Sequence, residues 1–197
     1  MFTKTQAVIM QVFASSITRR FSIKEIADNL KKPYPLIHRS IQNLLKDKLI
    51  IKDEKGFLSL DYKKNNAQIA YIESIRAKNT LDRDKMLQFL IEDFCKELEP
   101  SFFILLIFGS YLEKTNPRDI DFLIIIEQEE KINDAEKILK RVASRVTKEI
   151  DLKVISTAMA CEMLEKRDQI NVMNETLNKH LILYGAESYY NILKNAR

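Results

Sequence analysis

The sequence predicts an α+β chain in two parts. A helical head closed by a short hairpin comes first, and a small α/β sheet with flanking helices follows. Three observations lead there. Apolar residues recur at helical spacing over most of the chain. Two continuous apolar runs, Phe102–Phe108 and Phe122–Ile126, suit strands buried on both faces. Charge is uneven: residues 1–65 carry 13 Lys and Arg against 6 Asp and Glu, whereas residues 66–197 carry 19 against 22. A basic first third beside a mildly acidic remainder suggests modules with different partners.

Composition bounds the answer. A chain of 197 residues, 46% hydrophobic and 30% charged, can bury one large core or two small ones and is not disordered. Three glycines exclude collagen, low-complexity arrays and a glycine-fingerprint dinucleotide fold. Two cysteines, Cys95 and Cys161, cannot build a disulfide framework and read as buried thiols in a reducing compartment. The longest apolar run is too short to cross a bilayer, and no charged start with an apolar stretch precedes the body. A cytoplasmic protein without membrane partners is expected.

The head reads helix, helix, helix, hairpin. Residues 4–15 place Ala7, Val8, Val12 and Phe13 near helical spacing. Ser22 with Glu25 forms a capping-box pattern that opens a helix over 23–30, and Lys31-Lys32-Pro33 breaks it. A third helix runs from Pro35 to Asp47 with Ile37, Ile41, Leu44 and Leu45 as its apolar stripe. Extended runs Leu49–Lys52 and Phe57–Leu60 flank an Asp53-Glu54-Lys55-Gly56 turn. This order is that of a winged helix-turn-helix, assigned to residues 1–63.

Residues 64–83 read as a connecting helix, and no Gly/Ser-rich stretch loosens the join. The C-terminal domain spans 84–197. A helix carries Met86, Leu87, Leu90, Ile91 and Phe94 on one face. Then come a strand over Ser101–Phe108, a short turn or helix over 111–117, and a strand over Asp119–Ile126. An amphipathic helix over 131–147, a strand over Glu149–Ser156 and a largely helical tail complete it.

The chemistry concentrates in Gly109-Ser110, eight intervening residues, and Asp119-Ile120-Asp121 at the mouth of an apolar strand. Side chains alternate along a strand, so both carboxylates project on one face with Cα atoms roughly 6.5–7 Å apart. Side by side they repel, and a hard divalent cation such as Mg²⁺ relieves the conflict. Asp151 opens the next strand. If that strand lies beside the second, three carboxylates meet at one sheet edge, an arrangement that holds two ions for in-line phosphoryl displacement. Gly109 allows close backbone approach, and the Ser110 hydroxyl with the following N–H groups suits phosphate oxygens. The plainer alternative is a solvated strand start with Asp119 paired to Arg118.

The series Phe108-Gly109-Ser110 … Asp119-Ile120-Asp121-Phe122-Leu123-Ile124-Ile125, with Asp151 and the tail His180-Leu181-Ile182-Leu183-Tyr184-Gly185-Ala186-Glu187, resembles the minimal nucleotidyltransferase domain of the DNA polymerase β superfamily. The winged-helix fusion is similar to archaeal proteins of this kind. The resemblance implies a mixed sheet with flanking helices and a strand-turn-helix end. It also implies an NTP held by Gly109 and Ser110, and two Mg²⁺ ions on Asp119, Asp121 and Asp151, with Asp151 helping to activate an acceptor hydroxyl. Lys114 and Arg118 stand where the family commonly carries Gly and Ser. Their charge either strengthens the grip on phosphate or occupies the phosphate site.

On the third helix, Arg39, Gln42, Asn43 and Lys46 lie opposite the apolar stripe, where base edges are read in DNA complexes. Lys31, Lys32, Lys52 and Lys55 are the phosphate-contact residues expected beside them. The alternative is an ordinary solvated face on a protein-docking module. His38 reads as a helix-face polar residue, His180 has no partner at metal-ligand spacing, and Tyr189-Tyr190 reads as core packing.

Two functions follow. One is a Mg²⁺-dependent nucleotidyltransferase moving a nucleoside monophosphate from an NTP to a protein or small-molecule hydroxyl. The other is a DNA-binding regulator whose nucleotidyltransferase-like domain senses nucleotide or docks a partner, as antitoxins do. Winged helices often dimerise, so a homodimer is a candidate assembly.

Overall fold

The computed structural model describes residues 2–99, 101–114 and 117–196. Part of the turn expected over 111–117 falls on 115 and 116, outside the described residues.

Local signals account for the first elements. Helix α1 (Lys4–Ser15) opens on a capping box in which the Gln6 N–H donates to Thr3 and the Gln6 side chain accepts from the Thr3 N–H. Helix α2 (Ile23–Leu30) opens on the Ser22/Glu25 box and stops at Lys31, whose φ of 50° is left-handed. Helix α3 (Tyr34–Lys46) carries Pro35 in its first turn, where no intrahelical donor is lost. Strands β1 (Ile50–Lys52) and β2 (Leu58–Leu60) pair antiparallel. Asp53 closes their turn by accepting the Phe57 N–H, and Gly56 supplies the positive φ.

Helix α4 (Asn66–Leu81) leads to α5 (Lys85–Leu98), capped by the Asp84 carboxylate on the Leu87 N–H. Strands β3 (Phe103–Phe108), β4 (Asp119–Ile126), β5 (Glu149–Ser156) and β6 (His180–Tyr184) form one sheet in the order β5-β4-β3-β6. Strand β3 is antiparallel to both neighbours, and β4 and β5 are parallel, so the sheet is mixed. Helix α6 (Ile132–Ala143) makes the β4-to-β5 crossover. It ends four residues before the expected 147, because the chain must turn back within five residues to start β5. Helices α7 (Thr157–Glu165), α8 (Val172–Thr176) and α9 (Ala186–Asn195) complete the chain.

Both sheet faces are covered, which is why β3 is buried at every position. Phe103, Leu105, Ile107, Phe122 and Ile124 face α5 and α6. Ile104, Leu106, Phe108, Leu123 and Ile125 face α7, α9 and a cluster that continues without a break into the head. Helix α4 is the go-between, packing against α1, α9 and β6. The Ile17 N–H also donates to the Leu177 carbonyl at 2.8 Å, tying the head to the end of α8.

Candidate active site at the sheet edge

The site residues collect where β3 ends and β4 and β5 begin. In the parallel register, Asp121 lies opposite Asp151 and Asp119 opposite Glu149. Neighbouring strands run about 4.8 Å apart, and partners in register project on one face. Asp119, Asp121 and Asp151 therefore share the face of the sheet that carries Leu123 and Ile125.

Strand β3 delivers the loop to the same place. Phe108 pairs with Asp121, and Gly109 follows with a φ of +72°. A Cβ at Gly109 would stand 2.5 Å from Asp121 Oδ2. Backbone and carboxylate touch here because the residue has no side chain. Residues 109–112 then form a 3₁₀ turn, in which the Ser110 hydroxyl donates to Asp119 Oδ1 over a long 3.4 Å. The loop thus already leans on both carboxylates of the Asp-x-Asp pair.

Burial pushes the Asp121 carboxyl above its usual range, and the charges of Asp119 and Asp151 push it further. Lys153 opposes that rise, and Glu175 of α8 adds to it. Both residues were missed in the sequence. Lys153 is two positions after Asp151, hence on the same face, and its ammonium lies 5.5 Å from the centre of the Phe108 ring. The Asp151-x-Lys153 alternation was the available signal. Glu175 carried none, because only the tertiary fold brings α8 near β4.

Neither cation expected at the phosphate loop pairs with the Asp-x-Asp carboxylates among the described residues. The Arg118 side chain is 86% exposed and pairs with Glu149 at 3.2 Å, so it neither neutralises Asp119 nor plugs the pocket. Lys114 is exposed and has no ion pair among the described residues. The turn is fastened from its other side, where the Tyr111 hydroxyl donates to Asp84 at 2.9 Å.

The donors suit Mg²⁺ in kind, being hard oxygens on one face. Among the described residues, however, no three or more His, Cys, Asp or Glu side chains converge closely enough to hold an ion. Three like charges in a row repel, and gathering them requires rotation about their side-chain bonds.

At the opposite edge of the sheet, between β6 and α4, lies a buried polar network. Glu73 of α4 is fully buried, and Arg76 donates through Nη1 to both of its oxygens at 2.8 and 2.6 Å. The Tyr190 hydroxyl donates to Glu73 at 3.0 Å, and His180 Nε2 stands 3.4 Å away. His180 also bonds through Nδ1 to the Thr176 carbonyl, and Tyr189 pairs with the Thr176 hydroxyl. Both tyrosines are core residues, as the sequence indicated. Glu73 was overlooked, although a glutamate inside the Ile69/Ile72 stripe with an arginine three residues on is a recognisable sign of a buried pair.

In the head, Arg39, Gln42, Asn43 and Lys46 are exposed along α3, as are Lys31, Lys52 and Lys55, while Lys32 is half-buried. None of these cations is ion-paired among the described residues. The exposed Tyr34 ring stacks on His38 on the same helix face as Arg39, Gln42 and Asn43. No described helix is long and apolar enough to cross a membrane. Comparisons with protein-family models, with curated proteins and with solved structures found no match.

Proposed function

We propose that the chain is a nucleotidyltransferase using Mg²⁺ and an NTP, carried behind a DNA-binding winged helix. The observation that supports this reading is the register of Asp121 beside Asp151, with Asp119 on the same face and the Gly109 backbone against Asp121. Bound at these carboxylates, Mg²⁺ would neutralise the triphosphate and acidify the acceptor hydroxyl. The rest falls to the chain. The Gly109-Ser110 turn presents N–H and hydroxyl donors to phosphate oxygens once Ser110 leaves Asp119. Lys153 lends positive charge beside the loop, in addition to Lys114 and Arg118. Asp151, at the open end of β5, takes the acceptor proton. The acceptor oxygen bonds to the α-phosphorus, the bond from that phosphorus to the bridging oxygen breaks, and pyrophosphate leaves. The test is incubation with radiolabelled ATP or GTP, Mg²⁺ and candidate acceptors. Label should transfer with the wild type and vanish with Asp119→Ala/Asp121→Ala. Equal transfer by both overturns the reading.

A second reading rests on the head. The free cations of α3 and of the hairpin, together with carboxylates that stand apart, favour a DNA-binding regulator whose sheet domain binds nucleotide or a protein partner without turnover. It expects binding to the chain's own upstream DNA that weakens steeply with salt, and no consumption of any NTP. No DNA affinity at low salt removes it.

A further inference from the structure

We propose that the polar cleft between the head, the end of α4 and the start of β6 binds a small phosphate-bearing anion, without a metal and apart from the carboxylate edge. Its walls come from three places. Helix α1 contributes Gln11, the end of α4 and the residues beyond it contribute Arg76, Asn79 and Arg83, and the sheet side contributes Glu113 and Lys179. Arg76 is balanced by Glu73 behind it and Lys179 by Glu113, so Arg83 leaves the cleft with net positive charge, the reverse of the balance at Asp119, Asp121 and Asp151.

The groups differ in readiness. Arg76 is held on Glu73 and on the His180 carbonyl, so its guanidinium is fixed in the cleft wall and only 12% exposed. Lys179 is paired with Glu113 at 2.9 Å. Arg83 and Asn79 are exposed and Gln11 is half-buried, and none of their side chains has a partner among the described residues. A guanidinium and two amides without side-chain partners line this one cleft and offer several donors of the kind phosphate oxygens accept. An apolar ligand would strand these donors, and a cation would meet net positive charge.

Such a ligand would touch α1, α4 and the lead-in to β6 at once. The head already meets this lead-in through Thr18, whose N–H donates to the Asn178 side chain at 3.0 Å. Occupancy would therefore clamp the head to the sheet and stabilise the folded chain with the logarithm of ligand concentration.

Calorimetric titration of the full chain in EDTA tests the proposal, with inorganic phosphate and adenosine monophosphate as separate probes. Saturable binding of at least one probe is expected, weakened about tenfold or more in Arg83→Gln or Asn79→Leu with unchanged far-UV circular dichroism. Phosphate alone binding identifies a free-anion site, and the nucleotide binding more tightly identifies a phosphate ester. Asp119→Asn/Asp121→Asn should bind as the wild type does. No saturable heat with either probe, equal binding by both cleft variants, or loss of binding in the double aspartate variant overturns it. Because no metal is present, failure of label transfer in the Mg²⁺ assay does not affect the outcome.

Discussion

At Gly109 any side chain would compete with the Asp121 carboxylate for the same space. Gly109→Ala adds a Cβ 2.5 Å from Asp121 Oδ2 on a residue whose φ is +72°. The substitution should cost about 1–3 kcal/mol in urea unfolding and displace the Asp121 side chain. Asp121 itself works against the fold. Its carboxyl titrates above the ordinary 3.8, mainly through burial and then through Asp119 and Asp151. A raised acid favours its protonated form in the folded chain, so stability rises as pH falls through the raised value toward 3.8. At neutral pH without metal the charge is a liability. Asp121→Asn should therefore melt higher than the wild type in EDTA at pH 7, and Mg²⁺ should raise the melting temperature of the wild type more than that of the variant. A variant melting lower than the wild type in EDTA would contradict this.

Among the elements, α4 carries the most. It meets the head through α1 and the sheet through β6 and α9, and Glu73 is the polar centre of that junction. Burial pushes the Glu73 carboxyl up, and the Arg76 guanidinium, with the hydrogen bonds from His180 and Tyr190, more than offsets it, leaving the group below 4.5. A lowered acid contributes stability that is complete above its unfolded value and is lost as pH falls through the folded one. Acid unfolding should thus steepen below pH 4.5 in the wild type and flatten in Glu73→Gln. Glu73→Ala leaves Arg76 facing an empty buried site and should cost about 3–5 kcal/mol at pH 7, read by denaturant titration. The carboxylate edge would be disturbed as well, since His180 pairs with Phe108 immediately before Gly109.

Across the whole molecule, one apolar cluster joins the head to the α7–α9 face of the sheet. Basic head and acidic remainder differ in charge, yet they share Ile9, Phe13, Ile69, Ile72 and Tyr190 in one continuous interior. Surfaces joined this way unfold together. Scanning calorimetry should give a single transition whose calorimetric and van't Hoff enthalpies agree. Two resolved transitions would mean that the α1–α4 contact is weaker than its burial implies. Cooperativity also bears on function, because an anion that bridges head and sheet or DNA held by α3 would then be felt at the carboxylate edge.

Local order was legible from the sequence. Helices α1 and α2 and strands β4 and β5 start and end where capping residues, periodicity and apolar runs placed them, because each signal lies within the element it defines. Three carboxylates could be listed, and two of them placed on one face, from the two-residue period of a strand alone. Position across the chain was a matter for the tertiary structure. It sets Asp151 beside Asp121, sends Arg118 to Glu149, brings Lys153 and Glu175 near Asp121, and gives Glu73 partners 107 and 117 residues away. Those pairings follow from burying both faces of one sheet and one shared interior at once. No window of neighbouring residues contains that condition.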